Sequence, residues 1–259
     1  MRSLMLFFVV ICPPIGSMVA PVAATENQDL IFADGFESGD ASAWLEPVIF
    51  SDTFESGGTG FWEGPRAHWR FDEGSGEIAH DSISSSDAAI NGAEWAAGVT
   101  GTALYFDGSQ DSANVSVTTA LDLGTGFEIR FWFKTDDSVA RPPPPILEFR
   151  KDDTPQLEVY FLPGTGELGV HITPCNNLRV ECGNGLNDGE WHPVLIRWRN
   201  YRWLEVIHDV GSCSSAIGYD CTTAFSGWET ITIGHRQPPA GYNSFNGHID
   251  ELRIHTIAQ

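Results

Sequence analysis

The chain has 259 residues, long enough for one large domain with a sizeable core. Its 14 lysines and arginines face 35 aspartates and glutamates, a formal charge of −21. Such a surface repels nucleic acid and anionic lipid, so both are excluded as partners, whereas acidity alone says little about a metal.

Residues 1–24, MRSLMLFFVVICPPIGSMVAPVAA, carry Arg2, an apolar run from Leu4 to Ile11, and the small-residue ending Val22-Ala23-Ala24. The run is too short for the roughly 20 apolar residues a membrane span needs, so it reads as a secretory signal peptide cut after Ala24. Ile11 argues against a lipid anchor on Cys12, because the residue before a lipidated cysteine is normally small. No later segment is apolar enough to span a membrane, and the expected location is extracellular or at the cell surface.

Residues 25–64 form an N-terminal linker containing a duplication. IFADGFESGDASAW (31–44) and IFSDTFESGGTGFW (49–62) agree at eight of 14 positions, 18 residues apart. Two copies are too few to stack into a solenoid, which needs about three repeats. The segment is expected either to be extended and lean on the main domain or to act as a surface or sorting motif.

From residue 65 the pattern is all-β. Apolar and polar residues alternate in AHWRF, ALYFDG, NVSV, FEIRFWF, QLEVYF, ELGVHI, HPVLIRW, RWLEVI, ETITIG and FNGHIDELRIH, with Gly, Asn, Asp and Ser clusters between them. About ten short strands point to a two-sheet antiparallel β-sandwich of the jelly-roll type. The prolines at 142–145 require a loop or the start of an edge strand. Apart from Cys12, four cysteines remain: Cys175, Cys182, Cys213 and Cys221. In an oxidising compartment they form two disulfides, with three connectivities open; proximity in sequence suggests Cys175–Cys182 and Cys213–Cys221. Neither spacing is CxxC, so zinc and redox roles are not indicated.

WRFDEGSGEIAHDS, GTALYFDGSQDSANVSV, FEIRFWFKTDD, NDGEWHPVLIRW and FNGHIDELRIH, in this order, resemble the laminin G-like jelly rolls. These belong to the concanavalin A-like lectin/glucanase superfamily, which also holds the pentraxins. The resemblance covers residues 65–259. Ser112 stands where relatives often carry an aromatic, Pro193 where they usually have a second histidine, and VIHDVGSCSS replaces a VDG-like turn.

Glucanases of this superfamily carry ExDxxE on one strand, where residues two apart converge on one sugar bond. That motif is absent, as are HExxH and GxSxG. Asp250 and Glu251 are adjacent on an expected strand and should face opposite sides. GTGELG (164–169) matches GxGxxG but joins two strands rather than opening a helix. A non-catalytic protein is expected.

The resemblance implies a structural calcium ion. DEGSG offers carboxylates and glycines that let carbonyls converge, as calcium requires. The first and last strands of the resembling domains are neighbours, so the candidate ligands are Asp72, Glu73, Asp81 and Asp250. Asp107 and Asp111 are the alternative, nearer the pentraxin arrangement. The competing reading is that these acids cap turns.

For glycan binding, exposed aromatics and orienting polar groups are needed. RWRNYRW points to Arg197, Arg199, Tyr201 and Trp203; Tyr219, Trp228 and Tyr242 lie in expected loops and would line a rim. Val194, Ile196 and Trp198 should face the core and Arg197 and Arg199 outward, where the protein's own acids would compete for them. The expected function is therefore a secreted binding or adhesion module for carbohydrate or a surface polymer, with calcium. The alternatives are a protein–protein interaction domain without a small ligand and, less favoured, a glycoside hydrolase or lyase.

Overall fold

A computed structural model of the chain describes residues 62–117, 121, 123, 126–199, 202–216, 221, 227–235 and 244–257. The signal peptide, most of the linker and both FESG motifs lie outside them, as do Tyr201, Tyr219 and Tyr242.

Sixteen strands are described. They run β1 (Trp62–Trp69), β2 (Ile78–Ala79), β3 (Ala88–Asn91), β4 (Glu94–Ala97), β5 (Thr102–Asp107), β6 (Ser112–Ser116), β7 (Phe127–Lys134) and β8 (Pro145–Lys151). Then follow β9 (Thr154–Leu162), β10 (Glu167–Ile172), β11 (Leu178–Cys182), β12 (Trp191–Arg199), β13 (Trp203–His208), β14 (Gly211–Ala216), β15 (Thr230–Ile233) and β16 (Asn246–Ile257). They make two eight-stranded antiparallel sheets. Sheet A has the order β14-β13-β12-β7-β16-β5-β4, with β1 also on β16, and sheet B has β11-β10-β9-β8-β15-β6-β3-β2. The two-sheet sandwich is as expected. Of the six strands beyond the ten expected, β2, β3, β4 and β11 are only two to five residues long, β8 holds the apolar run ILEF without alternation, and β14, GSCSSA, is almost wholly polar.

Alternation decides which face each side chain takes. In β7, Phe127, Ile129, Phe131 and Phe133 enter the core between the sheets, while Glu128, Arg130, Trp132 and Lys134 point away. Val194, Ile196 and Trp198 do the same in β12, and Leu157, Val159 and Phe161 in β9. Phe133 packs against Phe161 at 5.8 Å and against Phe245 at 6.5 Å between centroids, a contact that staples the two sheets. GTGELG is the hairpin between β9 and β10, as expected. Trp228 is not a rim residue. It is 5% exposed, with its ring 4.4 Å from Phe149, because an indole gains more from the apolar interior than from a loop edge.

The disulfides correct the pairing suggested by proximity. They join Cys175 to Cys221 and Cys182 to Cys213, with Cα–Cα distances of 5.4 and 5.7 Å. Cys175 sits in the turn before β11 and Cys182 at that strand's far end. An extended strand of ~3.3 Å per residue carries the two beyond the ~7 Å a disulfide can bridge. Cys182 and Cys213 instead lie on β11 and β14, the edge strands of sheets B and A, and tie the sandwich shut along that side. Peptide mapping of the unreduced protein should recover Cys175–Cys221 and Cys182–Cys213. Replacing Cys182 and Cys213 together by serine should cost about 2–4 kcal/mol of unfolding free energy.

Candidate functional site: an aromatic cleft on the outer face of sheet A

Strand register assembles a row of side chains on the outer face of sheet A from five strands. Glu94 lies opposite Tyr105, Tyr105 opposite His248, His248 opposite Lys134, and Lys134 opposite Trp191. Each points away from the core because its chain neighbour enters it: Leu104 and Phe106 flank Tyr105, Ile249 follows His248, and Phe133 precedes Lys134. The His248 ring stands 4.8 Å from Tyr105 and 5.8 Å from Trp191, so the three form one partly exposed aromatic surface.

Beside this surface is an open cleft of about 450 Å³, lined by Tyr105, Lys134, Asp136, Asn246, His248 and the backbone of Gly189. Lys134 has no carboxylate partner within ion-pair distance among the described residues, so its ammonium donors face the cleft. Asp136 is exposed and offers acceptors. Burial pushes the His248 imidazole below its ordinary pKa, and the Lys134 charge adds to that, so the ring is neutral at pH 7. Behind Trp191, the His192 Nε2 bonds Asp188 Oδ1 at 2.9 Å, and its Nδ1 bonds Asp209 at 3.0 Å. Burial opposes its charge, but the two carboxylates overcome this and raise its pKa. Asp188 Oδ1 also accepts from the Glu190 amide, which fixes the turn leading into Trp191.

The calcium candidates are spread over several turns. Asp81 accepts from the amides of His68 and Ile83 and from the Ser84 hydroxyl, the pattern of a carboxylate that organises a turn. Glu73 Oε1 accepts from the His80 amide, and Glu73 Oε2 is buried without a hydrogen-bond partner. Asp72 accepts from the Thr102 amide. Asp107 and Asp111 cap their own loop, with the Asp107 amide donating to Asp111 at 2.8 Å; burial raises the Asp111 pKa, and the nearby Asp107 charge adds to it. Among the described residues no three histidines, cysteines or acids gather closely enough to hold a metal through side chains alone.

Asp250 differs from the rest. It is fully buried in β16, and its carboxylate accepts from the amides of Val99, Thr100 and Glu251. A bulge between Asp250 and Arg253, with Glu251 at φ 51°, turns both acids to the outer face rather than to opposite sides. Glu251 there bonds His68 at 2.6 Å and Arg253 at 3.0 Å. Burial opposes its ionisation, but these two partners hold its pKa below the ordinary value. Burial foremost, with the Glu251 charge adding, pushes Asp250 up to about 7 despite the amides. The face of Gly98 opens towards Asp250: a methyl group there would lie 2.5 Å from Asp250 Oδ2, 2.6 Å from the Thr102 carbonyl oxygen and 2.8 Å from that of Thr100. Three oxygens thus converge on a cradle that only glycine leaves clear.

The remaining binding candidates share the outer face of sheet A with the cleft, at its other end. Arg197 bonds Glu128 at 2.5 Å and Glu205 at 3.2 Å, so the protein's own acids do hold it. Arg199 is half-buried and Trp203 is 44% exposed, opposite each other in register. Across β12 the two ends stand about 26 Å apart, eight steps of ~3.3 Å. Sequence reading missed Tyr105, Lys134, Asp136, Trp191, Asn246 and His248 as a group. The one available hint was the pair of motifs GEWH and GHID, each holding an aromatic or imidazole outside the core pattern.

The sandwich has counterparts among solved structures. The binding domain of a paraclostridial mosquitocidal protein superposes with a TM-score of 0.59 at 9% identity, over 75% of this chain and 49% of that one. Domain 4 of an extracellular arabinanase from Geobacillus stearothermophilus, in complex with arabinotriose, gives 0.53 at 16% identity, over 76% and 93%. The receptor-binding domain of botulinum neurotoxin D gives 0.55 at 10% identity, over 73% and 48%. At such identities the likeness is one of fold, and the chain spans under half of the first and third of these. No protein-family model matches the sequence, and no curated protein matches it.

The buried Asp250 predicts a pH dependence in the presence of a chelator. Its folded pKa, about 7, lies above the unfolded value, so the folded state holds a proton that the unfolded chain has released. Stability from this group should therefore fall as pH rises from about 4 through 7, by up to about 4 kcal/mol at ~1.4 kcal/mol per unit. Chemical denaturation across that range should show wild type losing stability relative to Asp250→Asn as pH rises. A constant difference would mean that Asp250 is ionised throughout.

Proposed function

We propose that the domain is a secreted, non-catalytic carbohydrate-binding module of the laminin G-like type, with its ligand in the cleft beside Tyr105, His248 and Trp191. The observation that carries this is the aromatic row with donors and acceptors beside it. A sugar ring's C–H face packs on the aromatics while Asp136 accepts from, and Lys134 and Asn246 donate to, its hydroxyls. A neutral sugar suits this pairing, because each hydroxyl both donates and accepts. Support also comes from the fold's resemblance to an arabinotriose complex and to binding and receptor-binding domains.

Hydrolysis by paired carboxylates needs two acids flanking the bond, and among the described residues Asp136 is the single carboxylate lining the cleft. Asp250 and Glu251 are committed to backbone amides and to His68 and Arg253. On sheet B, Glu148 and Glu158 oppose each other across β8 and β9, but they are buried and engaged with Arg150 and His171.

A structural calcium ion beside the cleft is part of the same reading. The cradle at Gly98 fits it: the Asp250 carboxylate and the carbonyls of Thr100 and Thr102 are hard oxygen donors. Bound there, the cation would neutralise the buried carboxylate and fasten the β4–β5 turn, whose strand β4 supplies Ala96 to the cleft wall.

Isothermal titration with neutral oligosaccharides, arabinotriose first, should show saturable binding. Trp191→Ala and Tyr105→Ala should each weaken it about tenfold, ~1.4 kcal/mol, while Trp203→Ala leaves it unchanged. Absence of binding to any glycan, with self-association at rising concentration, would favour the interaction-domain reading. Calcium added to chelator-treated protein should raise its stability saturably, by about 2.7 kcal/mol at a hundredfold excess over Kd, and Asp250→Ala should abolish the rise. An unchanged melting temperature would leave Asp250 as an anchor for the turn alone.

A further inference from the structure

The cleft wall at Gly189 and Trp191 rests on a buried imidazole. Gly189, whose backbone lines the cleft, and Trp191, whose ring meets His248, come just before His192 in the chain. Alternation sends Trp191 to the outer face and His192 inward, where it is 3% exposed, with its ring 5.7 Å from that of Phe133. Both ring nitrogens meet carboxylates there. Nε2 lies 2.9 Å from Asp188 Oδ1, and Nδ1 lies 3.1 and 3.0 Å from the two oxygens of Asp209. A neutral imidazole has one N–H and one lone pair, so only the imidazolium donates to both carboxylates. In the neutral ring a lone pair would face a carboxylate at hydrogen-bond distance, in surroundings that screen the repulsion poorly.

The groups around it leave the charge on this ring. Facing His192 are Asp188 from the turn before β12, Asp209 from the turn between β13 and β14, and His208 from β13; among the described residues β7 presents the uncharged Phe133 ring. His208 is 1% exposed, and neither of its nitrogens has a hydrogen-bond partner among the described residues. Burial foremost holds its pKa below the ordinary value, against the Asp209 charge and with the His192 charge adding to it. Of the two neighbouring histidines, His192 therefore carries the proton and His208 stays neutral. Asp188 links the charge to the cleft. The same Oδ1 that meets His192 accepts from the Glu190 amide, and the intervening Gly189 donates to the Thr135 carbonyl. The bridge thus ties the turn carrying Gly189 to the turn between β13 and β14.

We propose that His192, as the imidazolium bridging Asp188 and Asp209, positions the Gly189–Trp191 wall, so that loss of its proton loosens the wall and weakens sugar binding. The effect on binding rests on the cleft being the sugar site, whereas the loosening of the wall does not. His192 is a positioning residue, because it holds the turn and does not line the cleft. The pH window follows from its partners. Burial opposes the charge, but the two carboxylates overcome it and raise the pKa above the ordinary ~6.5. The bridge is complete below that ordinary value and is lost as pH rises through the folded pKa. The cleft is thereby set to hold its ligand at lower pH and to release it in alkaline surroundings.

Two readouts on the full chain, from about pH 6 to about pH 9, test it. Without ligand, the His192 ring nitrogen signals should titrate above the ordinary histidine value, and the Trp191 indole signal should follow the same curve. With arabinotriose, affinity should fall about fivefold across the range, the difference between a charge-assisted and a neutral hydrogen bond. In Asp209→Asn the new amide donates to Nδ1, so the neutral ring satisfies both partners, and affinity should be equal at both ends of the range. His192→Gln, uncharged at every pH, should bind weakly and without a pH profile. Asp250 titrates near 7 in all three proteins, so the differences between them belong to His192. A Trp191 indole that ignores the His192 titration would overturn the proposal, as would a binding profile that Asp209→Asn leaves unchanged. If no sugar binds at any pH, the glycan reading fails and the indole curve alone decides: following His192 it supports the positioning role, and flat it overturns it.

Discussion

The bulge in β16 is the constraint on which the rest of the sandwich's outer face depends. This twelve-residue strand pairs with β7 along its length, while on its other side it pairs first with β5 and then with β1. A regular strand would send Asp250 and Glu251 to opposite faces, burying one of them in the apolar core. The left-handed conformation at Glu251 keeps both on the outer side and lets Leu252 take the core position. Upstream of it His248 joins the aromatic row; downstream Arg253 and His68 engage Glu251. At the bulge itself Asp250 anchors the turn between β4 and β5.

Much of the fold was legible in the sequence because alternation is a local signal. FEIRFWF and HPVLIRW each reveal a core face and an outer face without reference to their neighbours, and both faces are as read. The outward direction of Arg197 and Arg199, and the competition of acids for Arg197, follow from the same alternation. The bulge was not legible: nothing in HIDELRI marks the extra residue until its pairing with β7 and β1 is known. The disulfides failed for a related reason. Sequence proximity measures separation along the chain, whereas β11 and β14 meet at the edge of the sandwich only after both sheets have formed.

The cleft shows this limit most clearly. Its row takes one residue each from β4, β5, β16, β7 and β12, an order that no reading along the chain produces. Trp191 and Tyr105 stand 86 positions apart in sequence yet flank the same histidine. RWRNYRW is a local cluster of arginines and aromatics, but a sheet gathers its surface groups across strands, and Arg197, Arg199 and Trp203 lie at the opposite end of the face. The acids of DEGSGE likewise looked like one loop of ligands. Asp72 and Glu73 each accept from a separate backbone amide, and the oxygens that do converge, at Gly98, come from Asp250 and two carbonyls distant in sequence from that motif.

One sheet face therefore carries two chemically distinct ends, an aromatic cleft with mixed donors and acceptors and an end where Arg197 is paired with Glu128 and Glu205 beside the exposed Trp203. The central claim is that the cleft, rather than the arginine end, receives the sugar. Titration of the ¹⁵N-labelled chain with arabinotriose, followed through tryptophan indole and histidine ring signals, tests it most directly. The account predicts saturable shifts of the Trp191 indole and the His248 ring, with the Trp203 indole unmoved. Shifts centred on Trp203, with Trp191 and His248 silent, would contradict it.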